Sequence, residues 1–167
     1  MVIHAIPSFT RINKLKDNMN LDLNSVLAYK NIDIIDRFLA MYDIKQEEAE
    51  KIFNETLKWL WLGNKLEGVF IDDSTLIIDE MWHNFILFTQ DYEKFCLDNF
   101  GRYLHHQPES RKQQDWYYEP FNIEEHKNKL EKLYEGVYDY LGEETLLVWY
   151  EEFPKKYSME NIKKLRR

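Results

Sequence analysis

The stretch DEMWHNFILFTQDYEKFC, residues 79–96, decides the fold because its apolar residues recur every three or four positions. This is the repeat of an α-helix that buries one face, and it predicts one long, aromatic-rich central helix over residues 75–99. On a helical wheel the predicted core face is an arc of roughly 140°. Its members are Ile78, Met81, Trp82, Phe85, Phe88, Tyr92, Phe95, Cys96 and Phe100.

The same repeat appears on both sides of this stretch and predicts an all-α fold. Further helices are expected over residues 32–42, 45–68, 122–142, 143–153 and 158–165, with Pro154 ending the fourth of them. The chain has 167 residues but only 5 Gly and 4 Pro, so few breaks are expected. We predict a single domain over residues 1–167, a bundle of about five to seven helices. Residues 1–20 form a loosely structured N-terminal segment, and residues 155–167 form a basic helix end.

The net charge and the single cysteine limit the partners and the compartment that we expect for this protein. The net charge of −8 disfavours general binding to a nucleic-acid backbone, which needs clustered Lys and Arg. The basic residues 155–167 are the one segment that could contact nucleic acid or an acidic partner. Cys96 is the single cysteine, which fits a reducing cytoplasmic compartment. The sequence shows neither a secretory signal nor an apolar run of membrane-spanning length, so no membrane contact is expected.

His83 lies on the side of the central helix opposite to the predicted core. Asp79 precedes it by four residues and lies within side-chain reach, and Glu80 flanks it. After Gly101 the chain doubles back with His105 and His106, and a cluster forms only if this segment folds over the His83 side.

These histidines could supply three or four nitrogen and oxygen ligands, together with Asp79 or Glu80. Zinc or iron would accept that set. His83 and Asp79 are also the only candidates for catalytic groups, because the chain has no His-Glu-x-x-His motif, no Gly-x-Ser-x-Gly elbow and no glycine-rich phosphate loop. The reading without metal is that these histidines form hydrogen bonds to backbone groups and carboxylates around a loop.

The block over residues 79–108 carries an acidic residue and Met before Trp-His, an aromatic helix, and a Gly-Arg-Tyr-x-His-His-x-Pro end. In these features it resembles the glycine-rich domain-containing protein-like family, whose small bacterial members share that end. The resemblance implies an α-helical domain, here without a glycine-rich tail, and it favours one spatial cluster of Trp82, His83, His105 and His106. It implies no particular reaction.

Two hypotheses about function follow from the sequence. The leading one is a cytoplasmic accessory protein without enzymatic activity or cofactor, which binds a protein partner through an aromatic segment. The predicted contact residues are Arg102, Trp116, Tyr117, Tyr118 and Phe121, since aromatic and Arg side chains dominate binding energy at protein interfaces. The alternative is a metal-dependent enzyme or metal-binding protein built on His83, His105 and His106 with Asp79 or Glu80.

Overall fold

A computed structural model of the protein describes residues 22–66, 71–107 and 123–167. These ranges are helical and contain no β-strand, which confirms the predicted all-α fold. A lone antiparallel bridge joins Tyr42 to Arg166. The predicted N-terminal segment, residues 1–20, lies outside the described residues.

The helices of the described ranges follow one another in chain order. They are α1 (Leu23–Leu27), α2 (Ile32–Met41), α3 (Gln46–Lys65), α4 (Leu76–Ile86), α5 (Thr89–Phe100), α6 (Ile123–Leu147), a π-helical segment (Val148–Glu152), α7 (Phe153–Lys156) and α8 (Met159–Leu165). Side-chain caps begin three of them: Asp22 accepts from Asn24 N, Asn31 from Asp33 N, and Ser158 from Asn161 N. Each cap satisfies a backbone donor that the first helical turn leaves open.

The core forms around α3, which packs against α1, α2, α4 and α6. Large aromatic side chains fill it, and Trp59, Trp82 and Trp149 are each at most 1% exposed. Burying a large apolar side chain stabilises the fold by about 1.5–3 kcal/mol. The rings also meet at favourable angles, as in the edge-to-face pair of Phe85 and Tyr92 at 5.0 Å.

The predicted central helix is interrupted between Leu87 and Phe88. Phe88 leaves helical geometry with ψ at 63°, so α4 and α5 are separate helices, and the longest uninterrupted helix of the described ranges is α3 with 20 residues. The prediction of the buried face nevertheless holds on both sides of the break. Phe88 is half-buried, and the other eight members of the predicted core face are buried.

The C-terminal helices agree with the prediction at Gly142, which marks the expected boundary between the helices over 122–142 and 143–153, and differ from it at Pro154. Gly142, with φ at 84° and ψ at 171°, interrupts α6, and an ordinary L-residue rarely adopts that φ. Pro154 does not end the following helix but lies in the first turn of α7, directly after the π-helical segment. The chain is already helical before Pro154, so its missing N–H removes one backbone hydrogen bond next to the wider π-helical turn.

The basic residues of the C-terminal segment are largely paired with carboxylates of the chain. Arg166 contacts Glu80 and Arg167 contacts Asp43, both across more than 80 positions of sequence. The lysine pairs are Lys155–Glu151, Lys156–Glu48 and Lys164–Glu160. The contact with nucleic acid stays a prediction. Among the helices of the described ranges, none combines the length and apolar content that crossing a membrane requires.

Candidate metal centre

Helix α4 places Asp79 and His83 one turn apart on a side that does not face the core. The His83 Nδ1 lies 2.8 Å from the Asp79 carbonyl oxygen and 3.4 Å from Asp79 Oδ2. A carbonyl oxygen only accepts, so Nδ1 is the donor in this contact, and Nε2 takes no part in it. The His83 side chain is 52% exposed, as expected from its position on the wheel.

The segment after α5 returns toward α4 because Gly101 turns the chain with a left-handed φ of 66°. Two hydrogen bonds in series then hold this returning segment in place. The Trp82 Nε1 donates to the Tyr92 hydroxyl at 2.9 Å, and that hydroxyl donates to the Leu104 carbonyl at 2.8 Å. All three residues are buried, so these bonds are shielded from water.

Beyond Leu104 the segment brings His106 onto Asp79. The His106 Nε2 lies 2.8 Å from Asp79 Oδ1, and its ring centre lies 4.1 Å from that of Trp82 and 4.3 Å from that of His83. Only 5% of the His106 side chain and 14% of the Asp79 side chain are exposed. The segment therefore does fold over the His83 side, as a cluster requires.

Asp79, His83 and His106 can each offer one ligand atom, and these atoms lie within 4.8 Å of one another. Two ligands of a tetrahedral zinc lie about 3.3 Å apart, given bond lengths of about 2.0–2.1 Å. The donor atoms are therefore at most about 1.5 Å farther apart than in such a site, and an ion bound there would replace the proton between Asp79 and His106.

Two predicted ligands are not part of this group. Glu80 projects from α4 about 100° away from Asp79, and its carboxylate is held by Arg166 at 2.7 Å and by the Tyr42 hydroxyl at 2.6 Å. His105 is exposed, with its ring 4.9 Å from that of Tyr103.

Burial alternates along the returning segment, and this explains the choice between the adjacent histidines. Leu104 and His106 turn inward, whereas Tyr103 and His105 lie on the other side. Successive side chains of an extended chain point to opposite sides. The sequence alone could not choose between the two histidines, because Tyr103 and His105 have the same spacing as Leu104 and His106.

The predicted partner surface is only partly described. Arg102 donates from Nε to Asn64 Oδ1 at 2.8 Å and ties the returning segment to the end of α3. This half-buried guanidinium is thus held by the end of α3, and its contact with a partner stays a prediction. Trp116, Tyr117, Tyr118 and Phe121 lie outside the described residues.

Cys96 is buried in the core face of α5, near Tyr92. Burial raises the pKa of its thiol to about 11, so the thiolate is scarce at neutral pH. Cys96 is therefore buried, as the helical wheel predicted, and it is not one of the three donor residues of the candidate metal centre.

Comparison with known proteins gives one match. A family model described as UCP032817-like matches residues 29–117, which contain α2 to α5 and all three donor residues. No curated protein and no solved structure matches the chain. The matched description gives no activity and does not test the resemblance to glycine-rich domain-containing proteins. The match spans more than half of the chain, which therefore belongs to the UCP032817-like family.

Proposed function

We propose that this protein binds one divalent transition-metal ion, zinc or iron(II), through Asp79, His83 and His106. The observation that carries the proposal is the convergence of three donor groups from two separate elements within 4.8 Å. Two imidazoles and one carboxylate are a ligand set that zinc and iron(II) both accept.

The orientation of His83 supports the proposal. Histidines that bind metals usually donate their second ring N–H to a carboxylate or a backbone carbonyl, which fixes the ring and the tautomer. His83 makes this contact to the Asp79 carbonyl and keeps Nε2 for a ligand bond. His106 is held by packing on Trp82 and by the anchored Leu104 backbone.

Three protein ligands suit a reactive centre better than a structural one. Structural zinc sites use four protein ligands, whereas catalytic sites keep one position for water or substrate. A metal in this position would lower the pKa of its bound water and polarise an oxygen of a substrate.

Elemental analysis tests the proposal directly. The full chain is purified without an affinity tag, stripped with a chelator, and titrated separately with zinc and with iron(II) under anaerobic conditions. We expect about one ion per chain and a higher unfolding temperature when the ion is bound. A content that stays near zero, with no thermal shift, would leave the three side chains as a hydrogen-bonded network.

A second proposal is that the protein also binds a protein partner. It is favoured by exposed large apolar side chains on α5 and α6, where Leu97 is 50%, Tyr138 54% and Tyr140 50% exposed. Exposed aromatic residues are enriched at interfaces. Quantitative pull-down from native extract, with Trp116→Ser and Tyr138→Ser compared separately, tests whether either side chain carries the contact. A complex that survives both substitutions unchanged removes both proposed surfaces.

A further inference from the structure

The three donor groups of the proposed metal centre are unequally exposed to solvent. His106 is 5% and Asp79 14% exposed, whereas His83 is 52% exposed. The His106 side is covered by the ring of Trp82. An ion bound among them would be shielded on the Trp82 side and reachable on the His83 side.

An exposed leucine stands next to this open side. Leu87 follows His83 by four residues, and its φ of −67° and ψ of −21° keep it in helical geometry at the end of α4. Residues four apart on a helix are neighbours on one face. Leu87 is 62% exposed, the largest exposure among the large apolar side chains of the described residues. It therefore gives the open side an apolar rim.

The charge of the centre indicates what would bind on that side. A divalent ion with the Asp79 carboxylate and two neutral imidazoles carries one net positive charge. A monoanionic oxygen ligand would neutralise it, and zinc and iron(II) both accept oxygen donors.

We infer that the centre is open on the His83 side and takes a small carboxylate, whose oxygens bind the metal and whose apolar chain lies against Leu87. This inference rests on the proposed metal binding. It adds an exchangeable ligand of defined chemistry and a residue that selects it.

Cobalt(II) substitution provides the test, because its visible absorption reports both occupancy and coordination. The chelated full chain is loaded with cobalt(II) and titrated with acetate and, separately, with hexanoate. We expect both to change the spectrum, and hexanoate to bind about 3–10-fold more tightly, since each buried methylene adds up to about fourfold.

The possible failures are distinguishable. A protein that gives no cobalt spectrum disproves the metal centre and the inference with it. A cobalt spectrum that neither carboxylate changes retains the metal centre but shows that it is closed. Equal affinities for acetate and hexanoate would show that the apolar chain of the ligand does not lie against Leu87.

Leu87→Ser assigns the chain-length preference to one side chain. We expect it to remove most of the preference for hexanoate while cobalt loading and acetate affinity stay unchanged. Leu147→Ser is the matched control, because Leu147 is a 46% exposed leucine at the end of α6, outside the matched family range. A preference that survives in Leu87→Ser, or that is lost equally in the control, contradicts the role of Leu87.

Discussion

Asp79 and Glu80 are adjacent carboxylates on the same turn of α4, yet their surroundings differ in kind. Glu80 accepts two hydrogen bonds from Arg166, at 2.7 and 2.9 Å, and one from the Tyr42 hydroxyl at 2.6 Å. Asp79 has the imidazole of His106 at 2.8 Å and that of His83 at 3.4 Å. One carboxylate has an arginine partner, and the other has histidines.

This difference decides which carboxylate is available to a metal ion. A guanidinium keeps its proton at any ordinary pH and has no lone pair to offer. An imidazole can lose its proton near neutral pH and bind a metal through the same nitrogen. Glu80 is therefore fixed in a structural contact, whereas the partners of Asp79 can become its fellow ligands.

Raising the pH should destabilise the fold on both the Glu80 side and the Asp79 side. Burial and the hydrogen bond to Glu80 raise the pKa of Tyr42 from 10.0 to about 12, and burial also raises the pKa of Tyr92, Tyr150 and Tyr157. Above pH 10 the tyrosines of the folded protein therefore keep protons that the tyrosines of the unfolded chain lose. As a result, the free energy of unfolding falls as the pH rises from about 10 toward 12.

Urea unfolding measured between about pH 8 and 11.5 checks this expectation through the midpoint. Tyr42→Phe should reduce the slope, because one of the shifted phenols is gone. A midpoint that does not change over this range would contradict the expectation.

Removing one carboxylate charge at a time separates the two sides. We expect Asp79→Asn to weaken metal binding at least about 100-fold. Even changing a residue that only orients a metal ligand lowers metal affinity by about 10–100-fold. Glu80→Gln, the same change one residue later, should leave metal affinity within about threefold, because its contacts lie on another face of α4. Isothermal titration with zinc measures both, and equal losses would show that the two sides act as one.

Tyr92→Phe tests how the returning segment is held. It leaves the Trp82 N–H and the Leu104 carbonyl without their buried partner. We expect a loss of about 1–3 kcal/mol in the free energy of unfolding, the usual penalty for a buried polar group left unpaired. Metal affinity should fall as well, because His106 follows Leu104 by two residues. Tyr138→Phe, at an exposed tyrosine, is the control and should change neither quantity.

Arg166→Ala should have the smallest effect. The Arg166 side chain is 56% exposed and that of Glu80 28%, and exposed ion pairs contribute at most about 1 kcal/mol. We expect a loss within that limit, reduced at high salt, with metal binding retained. A much larger loss in thermal unfolding experiments would show that the C-terminal residues hold α4 in position.

The helices and their buried faces could be predicted from apolar spacing, because that pattern is local. The outward position of His83 and the return of the chain after Gly101 followed from the same reasoning. The break between α4 and α5 could not, since neither Leu87 nor Phe88 is a residue that breaks helices. In the structure Phe88 leaves helical geometry, while Phe85 and Tyr92 on either side of the break stay buried.

The partners of the charged groups were the least predictable part of the site. Glu80 precedes Arg166 by 86 residues, and nothing in the intervening sequence marks the pair. Glu80 therefore appeared to be as good a ligand as Asp79. Similarly, nothing in the sequence indicated that Arg102 donates to Asn64, 38 residues earlier.

The π-helical segment has a consequence for the aromatic residues that follow it. Trp149, Phe153 and Tyr157 are spaced by four residues and are all at most 1% exposed. Four residues overshoot one α-turn but fall short of the wider π-turn. The first step is made in the π-helical segment and the second in α7, so the two angular errors cancel. The wider turn of the π-helical segment thus keeps the three aromatic rings on one side of the helix, the side that faces α3.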